Sequence, residues 1–158
     1  MDYKEITGNR RKWFYILASS ILILILTLAF PILQWKEFSP ELIHRVGHAP
    51  SDTYYLFSET VHGSYIILIS AIALVISSVL VFYKTKNGNN AILGLRIAYL
   101  IPCIIYIIAM IGSGGDYNTS TFGPTFTSWL AAIMAIIGCV IMIRDTYKII
   151  NNLTNQQH

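Results

Sequence analysis

Long apolar runs, uncharged but for Arg96 in the third, alternate with short polar stretches along the whole chain, and that alternation sets every other reading. The first run, 13–33, holds about 21 residues without a formal charge and follows directly on Arg10, Arg11 and Lys12. A helix rises about 1.5 Å per residue, so such a run covers the roughly 30 Å hydrocarbon core of a bilayer. Three more runs, 64–82, 91–111 and 126–143, have similar length and composition. The pattern predicts an all-α fold: a four-helix transmembrane bundle, up-down-up-down, forming a single integral membrane domain over 1–158. Outer loops are expected at 34–63 and 112–125.

The polar segments carry finer signals. Ser39-Pro40-Glu41 reads as a helix start, with a capping hydroxyl, proline at the first helical position and an acid in the first turn. Leu42, Ile43 and Val46 then share a face, Glu41 reaches Arg45 at i, i+4, and Gly47 is placed to end the helix. This predicts a short amphipathic helix in the first outer loop. After Ala49-Pro50, Ser51 or Asp52 is expected to cap a second helix running through Tyr54, Tyr55 and Phe57 into the next span. The Gly-, Ser- and Thr-rich 112–125 segment is expected to be a flexible hairpin connection; its Gly112 to Gly115 run lacks the Lys-Ser/Thr that follows in a phosphate-binding loop.

Charge tests the topology independently. Nine of the eleven Lys and Arg (4, 10, 11, 12, 84, 86, 96, 144, 148) fall on one assigned side and two (36, 45) on the other. The basic side is expected to be cytoplasmic, with both termini there. Five of the eight acids (37, 41, 52, 59, 116) fall on the outer side. Composition agrees: 54% of residues are hydrophobic and 12% charged, about half the charged share of an ordinary soluble domain, so lipid is the main solvent. The apolar core of the first run is longer than that of a secretory signal and no A-x-A-like site follows, so an uncleaved span is expected. The expected location is the cell membrane, multi-pass.

Helices in lipid associate through small residues and a few polar contacts. In the fourth run Ser128, Ala131, Ala132, Ala135, Gly138 and Cys139 recur on one side, which leaves Ile133, Ile136, Ile137 and Val140 for lipid or a partner. Ser70, Ala73 and Ser77 in the second run, and Gly94 and Ala98 in the third, are read the same way. The first run offers only Ser19 and Ser20, so it is expected at the periphery. Cys103 and Cys139 both lie in apolar runs, where thiols behave as small hydrophobes.

Candidate chemistry is sparse. His44, His48, Glu59 and His62 are the candidate metal ligands, since His with carboxylate suits a transition metal and Glu59-x-x-His62 has the i, i+3 spacing of di-iron bundles. One such pair is half of what a di-iron site needs, so the favoured reading is a polar outer surface and no cofactor. Arg96, the one strong charge inside a run, is expected to snorkel to the headgroups, because it stands about five residues from the cytoplasmic end. The runs are read as holding no acid, which leaves a proton-coupled path nothing to use. Pro102 bends the third run at most.

The four-span outline with a longer first outer loop is similar to that of claudin-like and tetraspanin-like proteins. Those families carry, respectively, a W-x-L-W-C-C type and a C-C-G motif in an outer loop, and the loops here contain no cysteine, so no family is assigned.

The leading functional expectation is a non-catalytic accessory or stabilising subunit of a larger membrane complex, or a partner-binding membrane protein. Its contact residues would be Trp35, Phe38, Tyr54, Tyr55, Phe57, Tyr117 and Phe122 on the outer side. The bilayer and other membrane subunits are the expected partners, and nucleic acid is not. The alternatives are a metal-linked accessory of a membrane oxidoreductase, or a metal-handling protein, and, third, an oligomeric small-solute carrier lined by Ser19, Ser20, Ser70 and Ser77.

Overall fold

A computed structural model describes residues 3–37, 44–45, 47, 51–58, 64–86, 93–113, 115–117 and 120–155. In chain order the elements are helix α1 (Tyr3–Ala29), strands β1 (Leu33–Glu37) and β2 (Ser51–Tyr54), helices α2 (Ser64–Lys86) and α3 (Leu93–Gly112), strands β3 (Gly115–Tyr117) and β4 (Ser120–Pro124), and helix α4 (Phe126–Asn155). All four helices are long and apolar enough to cross a membrane, over Arg11–Ala29, Ser64–Tyr83, Gly94–Gly112 and Phe126–Lys148.

Helix ends follow local chemistry more closely than run length suggested. The expected first span to residue 33 stops at Ala29, because Pro31 lacks an N–H and disfavours helical backbone at Phe30 before it. Proline therefore terminates α1 and does not kink its last turn. At the other end α1 begins at Tyr3, and α4 runs on past residue 143 to Asn155, so the polar flanks are continuations of the helices.

Each helix buries a stripe with alternating three- and four-residue steps: Trp13, Ile16, Ser20, Ile23, Thr27 on α1 and Arg96, Tyr99, Cys103, Tyr106, Met110 on α3. The same steps run through Ile67, Ser70, Leu74, Ser77 and Val81 on α2, and through Ser128, Ala131, Ala135, Gly138, Met142 and Asp145 on α4. That spacing is the seam of a left-handed bundle. Consecutive helices pack together, and α1 closes the ring against α4. Lys12 meets Asp145, and Trp13 meets Arg96, while Thr27 near the end of α1 meets Tyr106 near the end of α3. Helices α1 and α3 are therefore parallel and α4 antiparallel to α1, which is the up-down-up-down order. The expected peripheral place of α1 is wrong: its stripe lies in the shared core, with Trp13 against Arg96 and Thr27 against Tyr106.

The small-residue stripe of α4 lies inward as expected, with Ile133, Ile136, Ile137 and Val140 exposed. Gly94 and Ala98 are instead on the outer surface of α3. The inner face of α3 holds two tyrosines, and the small side chains that accommodate them come from α4. Tyr99 shows this directly: a Cβ built on Gly138 would stand 2.5 Å from the Tyr99 hydroxyl oxygen.

The loops differ most from expectation. A four-stranded antiparallel sheet of order β2-β1-β4-β3 caps the bundle where α1 and α3 end. Leu33 pairs with Tyr54 on one side and Pro124 on the other, and Trp35 pairs with Asp52 and Phe122. The expected helix over 51–57 is thus overturned. Residues 51–54 are extended because their backbone groups pair with β1, and Ile32 N–H donates to Tyr54 C=O at 2.8 Å. Similarly, the connection expected to be flexible is a paired hairpin, β3 with β4. Of the expected amphipathic helix, residues 44 and 45 are helical and Gly47 has φ 75°, the left-handed conformation of a helix-ending glycine. Its other residues lie outside those described.

A hydroxyl cluster at the first turn of α4 locks cap to bundle. Thr125 Oγ1 donates to Pro31 C=O at 2.6 Å, Ser128 Oγ donates to Ile32 C=O at 2.7 Å, and Thr125 N–H donates to the same Ile32 C=O at 3.1 Å. Thr125 also takes the N-cap place, accepting from Ser128 N–H at 3.4 Å. The carbonyls of Pro31 and Ile32, in the link between α1 and β1, are thereby satisfied by the start of α4.

Candidate functional site

Two regions at opposite ends of the bundle carry candidate residues. In the cap, His44 is exposed, while His48, Glu59 and His62 lie outside the described residues. Among the described residues no three His, Cys, Asp or Glu come together as a metal site. The aromatic candidates are better placed. Trp35 and Tyr54 are half-buried on paired strands, Tyr117 and Phe122 belong to β3 and β4, and Phe38 lies outside the described residues.

Tyr55 and Phe57 stand apart from these. Leu56 between them is 1% exposed, and Ser58 N–H donates to Tyr55 C=O at 3.0 Å to close a tight turn. Burying the middle residue of a turn turns its neighbours outward, and Tyr55 and Phe57 are 55% and 67% exposed. Tyr65 and Phe126, in the first turns of α2 and α4, are exposed near them, while Phe14, Tyr15, Tyr83 and Tyr147 are exposed at the other end. Aromatic rings at both ends of an apolar bundle match the two interfacial belts of a membrane protein.

The second region is inside, at the end of the bundle away from the sheet. Arg96, expected to snorkel outward, turns inward: it is 7% exposed and its guanidinium carbon lies 5.0 Å from the ring centroid of Trp13. Trp13 itself is 2% exposed and so is no belt residue. The stripe explains the reversal, since residue 96 falls on the buried seam with Tyr99, Cys103 and Tyr106. Asp145 is buried within the fourth span, which corrects the reading that no span holds an acid; it pairs with Lys12 at 3.6 Å. That is the one ion pair among the described residues.

The hydrogen bonding of this end is incomplete. Among the described residues nothing accepts from Arg96 Nε or Nη1 or from Trp13 Nε1, and the Tyr99 hydroxyl, near Ser20, finds no partner in hydrogen-bond geometry. Deeper in the bundle the polar groups are satisfied: Tyr106 and Thr27 hydroxyls are 2.8 Å apart, and Cys103 Sγ donates to Ala135 C=O at 3.0 Å. Ser19, Ser20, Ser70 and Ser77 each donate to a carbonyl of their own helix, so these hydroxyls read as packing groups.

The sequence contained a signal for this region. Arg96, Tyr99, Cys103 and Tyr106 recur at helical spacing, which marks a polar seam, whereas Gly94 and Ala98 were chosen by size alone. Chemically, a guanidinium keeps its proton and offers only donors, as does an indole N–H. Together they suit an acceptor and cannot shuttle protons. Comparison with protein-family models, curated proteins and solved structures finds no match for the chain.

Proposed function

We propose that the protein is a non-catalytic, multi-pass membrane component that holds a membrane-protein partner through its sheet cap, with the cap outside and the Lys12–Asp145 end cytoplasmic. The distribution of nine of eleven Lys and Arg toward the Lys12–Asp145 side supports that orientation. The observation that carries the partner reading is the turn after β2. Anchored by Leu56, it presents Tyr55 and Phe57 beside the terminal strand of the sheet. Large aromatic side chains held rigidly supply contact area with little entropy left to lose, which is why such residues dominate protein interfaces.

Blue-native electrophoresis of the tagged chain in a mild detergent tests this reading. The expected result is migration with a co-purifying membrane protein, lost in the Tyr55→Ser, Phe57→Ser double variant while the variant itself stays folded. Migration only as the free chain would refute it. Cysteine labelling of intact cells at position 53 and not at position 148 checks the orientation.

A further inference from the structure

We infer that Arg96 and Trp13 form a binding site for a phosphate oxyanion at the end of the bundle opposite the sheet. The inference is independent of the partner reading and of which side is cytoplasmic.

The argument starts from what the guanidinium lacks. Placing a charged side chain inside a membrane bundle is costly unless its donors are used. Arg96 is more than nine-tenths buried, and the Trp13 ring against its face satisfies none of its N–H groups. Asp145 is the nearest candidate counter-charge, but its carboxylate is engaged by Lys12, and it makes no ion pair with Arg96. Three donor atoms, Arg96 Nε and Nη1 and Trp13 Nε1, are thus gathered around one ring without a protein acceptor among the described residues.

Three unmatched donors on two side chains favour a group with several oxygens, and a tetrahedral phosphate offers more of them than a planar carboxylate. Depth points the same way. Arg96 and Trp13 are each the third residue of their spans, Gly94–Gly112 and Arg11–Ala29, so they lie about 3 Å inside the span ends. That is the level at which phospholipid phosphates meet the hydrocarbon. Exposed Arg11 and Arg144 at the same end add positive field. A lipid headgroup and a free anion present the same phosphate oxygens, and the test below distinguishes the two sources.

The test uses the full chain in mild detergent. Native mass spectrometry with phosphatidylglycerol or phosphatidylcholine, and phosphorus NMR line broadening with inorganic phosphate, distinguish the sources. Retention of phosphatidylglycerol that falls about tenfold in Arg96→Gln, the loss expected for charge-assisted hydrogen bonds, and is unchanged in Lys148→Gln, assigns a lipid phosphate. Saturable broadening of inorganic phosphate lost in Arg96→Gln, without lipid retention, assigns a free anion and upholds the site. Equal lipid retention by wild type and Arg96→Gln, with no phosphate broadening, overturns it. Should Arg96→Gln fail to fold, as judged by circular dichroism, Trp13→Phe decides, because it keeps the ring and removes one donor: weaker retention sustains the site and undiminished retention overturns it.

Discussion

The two ends of the bundle handle polar groups in opposite ways. At the sheet end, the carbonyls between α1 and β1 are taken up, Pro31 C=O by Thr125 and Ile32 C=O by Ser128 and by Thr125 N–H, and β1 pairs with strands on both sides. At the other end a buried arginine and an indole keep donors that no group among the described residues accepts. The difference separates structure from function. A completed hydrogen-bond network holds parts together, and removing a member leaves a buried group stranded. An incomplete one holds the protein less firmly and waits for an acceptor from outside.

The comparison can be broken by mutation. The largest effect is expected midway, where Tyr99 covers Gly138. Gly138→Leu must displace a fully buried ring, and overpacking of that size is expected to lower stability by about 3 kcal/mol. Thermal unfolding in detergent, followed by circular dichroism, reads it; a melting temperature equal to wild type would mean that α3 and α4 are further apart than described.

At the sheet end, the double variant Thr125→Val, Ser128→Ala removes the cap and two side-chain donors, leaving Ile32 C=O to Thr125 N–H and Pro31 C=O to Thr127 Oγ1 alone. A loss of about 2 kcal/mol is expected, with earlier proteolysis of the cap than of the helices. If α1 and the start of α4 come apart no more readily than in wild type, the lock is not where the hydroxyls are. Tyr106→Phe should lower stability by about 1 kcal/mol, the ordinary value of one buried hydrogen bond. In a double-mutant cycle with Thr27→Val the two losses should not add, since both delete the same bond.

Arg96→Met sharpens the contrast because its sign differs. In phosphate-free detergent it is expected to leave the melting temperature unchanged or slightly raised, as replacing an unsatisfied buried charge by an apolar chain often does. A clear drop would show that Arg96 is fully engaged within the protein, and the two ends would then be alike.

Much of this was legible in the chain. The inward stripe of α4 from Ser128 to Cys139 and the outward Ile133, Ile136, Ile137 and Val140 follow from size and period alone, because lipid exposes large apolar residues and helix contact selects small ones. The helix over 51–57 failed for a different reason. Ser51 and Asp52 are good caps and the following residues allow a helix, but β1 lies alongside and its unpaired backbone at the membrane surface is satisfied only by strands. Local propensity had no access to that neighbour. Arg96 was misjudged by measuring depth along the helix and not direction around it. Its three-residue step to Tyr99 placed it on the seam.

The sequence by itself determined the solvent: apolar runs of about 20 residues partition out of water, and they specify four helices because that depends on length and composition alone. Tertiary structure alone decided that the loop after α1 and the loop before α4 share one sheet, that Trp13 and Arg96 meet, and that Asp145 is taken by Lys12. These are pairings between residues far apart in the chain. No local pattern encodes them, since each partner acquires its meaning only when the packed bundle sets it beside the other.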